Sequence, residues 1–131
     1  MAKLTNNRFE LFNLTIVKCL NLLGLGEWYV SVGKKKLKDA DAEMSHDTGA
    51  RRAFFLINDI DSHVNDFDVE NSACHEVSEL LLAEFDDIVD RNIPKVQYDK
   101  IRHAVIQRLS RLLQYTISLE KEKEVCKNKK R

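Results

Sequence analysis

Five consecutive residues, His75-Glu76-Val77-Ser78-Glu79, combine residue types and a spacing that can do chemistry. The apolar periodicity around them predicts a helix, and in a helix residues four apart stack on one face. His75 and Glu79 can therefore ligate one ion without distorting the backbone, because neutral imidazole and carboxylate are both ordinary zinc ligands. Glu76 projects to one side, where an uncommitted carboxylate can take a proton from a metal-bound water. A catalytic zinc ion also needs a third ligand and an open position for that water. His103, in Tyr98-Asp99-Lys100-Ile101-Arg102-His103, is the candidate. Two packed antiparallel helices with a short connection bring such positions face to face. Asp99, one turn earlier, is suited to orienting the His103 imidazole or to replacing it as a ligand.

The same residues also occur on exposed helices without any ion, and His103 fits the edge of a helix interface equally well. The apolar residues nearby bear on the choice. Leu82 falls on the face of His75 and Glu79, while Ala73, Val77, Leu80, Leu81 and Ile88 line the opposite side. A helix with apolar demand on both sides is expected to be largely buried, and a buried histidine or glutamate needs partners. Cys74 adjoins His75, but helical neighbours point about 100° apart, which argues against a Cys-His nucleophile. His46 and His63 fall in a hairpin and a loop and receive no role.

The elements that must position these residues follow from the change of apolar period along the chain. Phe9, Phe12, Ile16, Leu20 and Leu23 mark an amphipathic helix, with Gly24 and Gly26 as its stop. Glu27-Trp28-Tyr29-Val30-Ser31-Val32 predicts a strand with Trp28, Val30 and Val32 on one face. Lys34 to Lys38 read as a solvated basic connection, with a phosphate patch as the other reading. A hairpin is expected next, from a strand over Ala42 to His46, through Asp47-Thr48-Gly49, into Arg52 to Ile57. That second strand is apolar on both faces, so both faces are expected to be covered. Asp68 is the expected N-cap of the motif helix, which should run to about Asp90. Pro94 closes the next loop, and a last helix from Gln97 or Tyr98 carries Ile101, Val105, Leu109 and Leu112 as its main stripe. The expected core comprises Trp28, Val30, Phe55, Ile57, Val77, Leu81, Val105 and Leu109.

Composition sets the class. The chain has 131 residues, 44% apolar and 32% charged, which fits one soluble globular domain over residues 1–131, and the order of elements makes it α+β. Its ordered core should span about 5–120, with a basic tail over about 121–131. The 21 basic and 21 acidic residues cancel, so no global field draws the chain onto nucleic acid. No apolar run approaches the roughly 18 residues that span a bilayer, and the N-terminus does not read as a signal peptide. Cys19, Cys74 and Cys126 form no disulfide framework, which points to a cytoplasmic setting.

The order of elements resembles the minimal zincin-like metallopeptidase domains encoded by bacteriophages and prophages. Leu23-Gly24-Leu25, Glu27-Trp28-Tyr29-Val30-Ser31-Val32, the hairpin through Arg52 to Ile57, and His75-Glu76 carry the likeness. It extends over roughly residues 9 to 115. The family's H-E-x-x-H motif has a second histidine where this chain has Glu79. In the gluzincin-type arrangement, a later helix supplies a glutamate. Either the site has decayed, or the ligand set is rearranged: with His103 on the later helix the inventory of two histidines and one carboxylate is kept with two positions exchanged. The resemblance implies a zinc-dependent peptidase-like protein in the host cytoplasm, acting on a peptide or protein. His75, Glu79 and His103 would be ligands and Glu76 the base. The alternative is a non-catalytic protein of the same fold that binds a host or phage protein as inhibitor or adaptor.

Overall fold

A computed structural model describes residues 2–88 and 94–129. The element order is α1 (Asn6–Leu22), β1 (Tyr29–Lys35), β2 (Ala42–Asp47), β3 (Arg52–Asn58), α2 (Asp66–Ile88) and α3 (Lys95–Lys129). The fold is α+β, in the expected layout. Thr5 caps α1 by accepting the Arg8 N–H. At the other end Leu25 N donates to Leu20 O and Gly24 N to Asn21 O, with Gly24 at φ +68°. That is a Schellman closure, which requires a left-handed residue and explains why glycine stands there.

The three strands run in the order β1-β3-β2. β2 and β3 form the antiparallel hairpin, while β1 lies parallel to β3 with Val32 opposite Phe55. The hairpin loop turns with Asp47 Oδ1 accepting the Ala50 N–H and Arg51 in the left-handed region at φ 51°. The basic connection after β1 is held from below: Asn58 accepts from Leu37 N and donates to Leu37 O and Ala40 O.

Alternation along β3 shows which face meets the helices. Ala53, Phe55 and Ile57 are buried, whereas Phe54 is half exposed. The expectation that both faces are covered is therefore corrected. The helices cover one face, and Tyr29, Ser31 and Phe54 border an open hollow on the other. Phe12, Ile16 and Cys19 from α1 join Phe55 and Ile57, and Val69, Ala73, Cys74, Val77 and Leu80 from α2, in one core.

Three further expectations change. Asp68 is not the N-cap of α2, because Asn65 Oδ1 accepts the Asp68 N–H, and Asp68 in turn accepts from Val64 N. The cap is Asn65, three residues earlier, while the Asp68 carboxylate reaches back to the Val64 N–H just before it. On α3 the inward residues are Ile106, Leu113 and Ile117, with Ser110 and Gln114 between them. Ile101 and Leu112 are exposed, and Val105 and Leu109 only half-buried. The expected stripe is thus rotated by about one residue, because this helix carries apolar residues on neighbouring faces and packing chooses between them. Val30 and Leu81 are also only half-buried. Finally, the segment expected as a basic tail beyond the ordered core is helical through Lys129. The expected helix end near Asp90, the Ile88 side chain, and Lys130 and Arg131 lie outside the described residues. No described helix is long and apolar enough to cross a membrane.

Candidate metal centre

α2 lies between α1, α3 and the edge strand β2, so one of its faces is committed to the core. Val69, Ala73, Val77 and Leu80 occupy that face. Ser72, His75, Glu76 and Glu79 recur at helical spacing on another, beside β2 and α3. Asp41 and Ala42 at the start of β2, with Asn71, Ser72, His75 and Glu76, line a polar hollow of about 250 Å³.

His75 Nε2 lies 3.7 Å from Glu79 Oε1. One ligand atom from each of His75, Glu76 and Glu79 lies within 4.8 Å of the others, so the three could hold a metal ion. Ligands that share a zinc ion stand roughly 3–4 Å apart, so the group needs only modest closure to fit. Its electrostatics follow from burial. Glu76 is buried, and its Oε2 is one of two buried side-chain polar atoms without a hydrogen-bond partner among the described residues, with Asp59 Oδ1. Desolvation, reinforced by the neighbouring Glu79 carboxylate, pushes the Glu76 carboxyl up to about 9. Glu79 is held below the usual range, chiefly by the neighbouring His75 imidazole, against the cost of its own burial. In the absence of a cation Glu76 is therefore the protonated member of the pair. A buried carboxyl with an unpartnered oxygen beside a second carboxylate and an imidazole is a donor set that a divalent cation would satisfy.

Each residue singled out in the sequence can now be placed. His75, Glu76 and Glu79 come together. Glu76, expected as a free base beside the ligands, stands within the ligand-bearing group itself. His103 reaches the same neighbourhood from α3, with its ring edge-on to His75 and the centroids 6.3 Å apart. It is not among the three clustered residues; its side chain is exposed, and its Nε2 lies 3.0 Å from Gln107 Nε2. Asp99 is exposed on the turn before. The antiparallel packing of α2 and α3 that brings His103 here also delivers Arg102. Its guanidinium lies 3.7 Å from Glu79 Oε1 and binds Asp86 through Nε and NH2, and Tyr98 donates to the same Asp86.

Spacing did not reveal Arg102, whose relation to Glu79 depends on the register of two helices. Nor did it reveal His63, which bonds Asp61 and Ser72. His46, opposite Ala53 in the sheet, has its ring edge-on to Trp28 at 6.4 Å between centroids. Comparison with family models, with curated proteins and with solved structures finds no match for this chain.

Proposed function

We propose that the protein is a zinc-dependent, peptidase-like hydrolase of the zincin type in a phage or prophage setting, working in the host cytoplasm. The observation that carries this reading is the buried, unpartnered Glu76 oxygen within reach of His75 and Glu79, at the wall of an open polar hollow. In this reading His75, Glu79 and His103 would hold the ion, which would supply a water of lowered pKa and a polarised carbonyl, and Glu76 would be the proton acceptor beside them. His103 must turn from Gln107 toward His75, a side-chain rotation on an exposed surface. The free edge of β2 offers main-chain groups to an extended peptide.

Zinc titration of untagged protein tests the site. One ion per chain is expected, with binding lost in His75→Ala, weakened at least tenfold in His103→Ala, and kept in Glu79→His. Cleavage of an unstructured polypeptide should fall by about 10²–10⁴ in Glu76→Gln with zinc still bound. Protein that takes up no zinc at neutral pH sinks the reading.

A second reading is favoured by Arg102. A guanidinium 3.7 Å from Glu79 already offers that carboxylate a positive charge. On that account the fold is kept as a non-catalytic inhibitor or adaptor that binds another protein. Zinc binding in Arg102→Ala but not in the parent chain would be its signature.

A further inference from the structure

We propose that Ser72, His63 and Asp61 form a second, metal-independent nucleophilic site that takes a small carboxylic ester. Ser72 Oγ lies 2.9 Å from His63 Nε2, and His63 Nδ1 lies 3.2 Å from Asp61 Oδ1. These residues come from different places: Asp61 and His63 from the loop after β3, Ser72 from the second turn of α2. Their order of contact is that of a nucleophile, a base and the carboxylate that orients the base, an arrangement recognised by geometry rather than by sequence position.

The supporting bonds determine which way the protons point. Asp61 Oδ2 accepts from Arg8 NH1 at 2.5 Å, and Asp61 Oδ1 also accepts the His63 backbone N–H at 3.0 Å. Burial pushes the Asp61 carboxyl up, but Arg8 and the His63 bonds together outweigh it and hold the carboxyl below its usual range. An ionised carboxylate only accepts, so His63 Nδ1 carries the ring hydrogen and Nε2 is left as the acceptor. The Ser72 hydroxyl therefore donates to Nε2, which is the direction general-base activation requires. Arg8 NH1 also donates to His63 O at 2.9 Å, which fixes the loop from the α1 side. The His63 and Asp61 side chains are only 2% and 8% exposed. Ser72 alone reaches outward, and it lines the hollow of about 250 Å³.

The chemistry balances without a co-reactant other than water. Ser72 Oγ forms a bond to the ester carbonyl carbon as its proton passes to His63 Nε2. The bond to the leaving alkoxide then breaks, and His63 returns the proton to it as an alcohol. Water releases the acyl group by the same steps, giving a carboxylic acid and restoring Ser72. Asn71 lines the same hollow and is the side-chain amide there that could donate to the developing oxyanion. Asp61 does not touch the ester; it is a positioning residue. None of the three residues belongs to the metal group, although Ser72 opens on the same hollow as His75 and Glu76, so chelator in the assay separates the two activities.

The test uses the full chain with chelator present and an alkyl fluorophosphonate as probe. Attack by Ser72 Oγ forms the phosphorus–oxygen bond and expels fluoride, leaving a stable adduct that mass spectrometry locates. We expect one adduct, on Ser72, and none in Ser72→Ala. His63→Gln keeps a polar partner for Ser72 but supplies no base, and its labelling should slow about 100-fold. Asp61→Asn should lower the maximal labelling rate without changing the half-saturating probe concentration, a split that a merely structural role would not produce. Thermal midpoints of both variants identify loss of fold. p-Nitrophenyl acetate should be turned over with the same pattern. An absent adduct, an adduct elsewhere, or folded His63→Gln labelled as fast as the parent overturns the proposal. None of these outcomes touches the zinc titration.

Discussion

The two long C-terminal helices make an instructive pair. α2, 23 residues long, buries Val69, Ala73, Cys74, Val77 and Leu80 almost completely, and every candidate functional residue on it occupies what remains. α3 is longer, at 35 residues, yet buries only three apolar side chains fully, Ile106, Leu113 and Ile117. The difference lies in what surrounds each. α2 has neighbours on three sides, so its polar residues are forced into pairs or left unpartnered, as Glu76 Oε2 is. α3 rests chiefly on α2, with a smaller contact to α1, along one stripe and is otherwise wet. Its polar contacts to α2, including Lys121–Glu70 and Arg102–Asp86, lie partly or wholly at the surface and contribute little individually. Enclosure, rather than helix length or apolar content, separates the element that holds a site from the one that supports it.

That contrast can be broken by measurement. The largest effect should come from α2: Leu80→Ala is expected to cost about 3–5 kcal/mol in denaturant unfolding, because the neighbours on three sides cannot all close the cavity. A loss below about 1 kcal/mol would mean that α2 is not enclosed. On α3, Ile106→Ala should cost about 2–3 kcal/mol, since the partner surface on one side can relax. Leu112→Ala, on the expected but exposed stripe, should stay within about 0.5 kcal/mol. Reversal of those two would restore the stripe read from periodicity.

A pH series sharpens the point at Glu76. Its folded carboxyl titrates near 9, whereas in the unfolded chain it titrates near the ordinary value of about 4.3. Between those limits the native state keeps a proton that the unfolded state has released. Stability attributable to Glu76 therefore falls as pH rises, by up to about 1.4 kcal/mol per unit. Glu79 acts in the opposite sense: its contribution is present above its unfolded value and lost as pH falls through its lower folded value. From about pH 5 to 9 the Glu76 slope should dominate, and Glu76→Gln should flatten it. A parent chain whose unfolding midpoint does not move across that range would show the carboxyl to be solvated.

The smallest effect is a difference in rate. Cys19 and Cys74 are buried with their sulfurs 3.3 Å apart, while Cys126 near the end of α3 is exposed. A thiol reagent should modify Cys126 at once in native protein and reach the other two only on unfolding. Equal rates for all three would put α2 and α3 on the same footing.

The α+β class, the order of elements, the hairpin and the stop after α1 were all legible in the residues alone. Each rests on local physics: apolar period, turn residues and a glycine at a left-handed position. The helical spacing also places His75 and Glu79 together, because one turn stacks them without help from the rest of the chain; that Glu76 joins them is a finding of the structure. Tertiary structure decided what no period encodes. It rotated the buried stripe of α3 to Ile106, Leu113 and Ile117, since a helix apolar on several sides takes its inward face from its partner. It left Phe54 bare, because helices cover one face of the sheet. The register of α3 against α2 set Arg102 beside Glu79 and His103 edge-on to His75. Loop closure brought Asp61 and His63 onto Ser72, a contact that depends on the path of the chain between β3 and α2 and on Arg8 reaching across from α1.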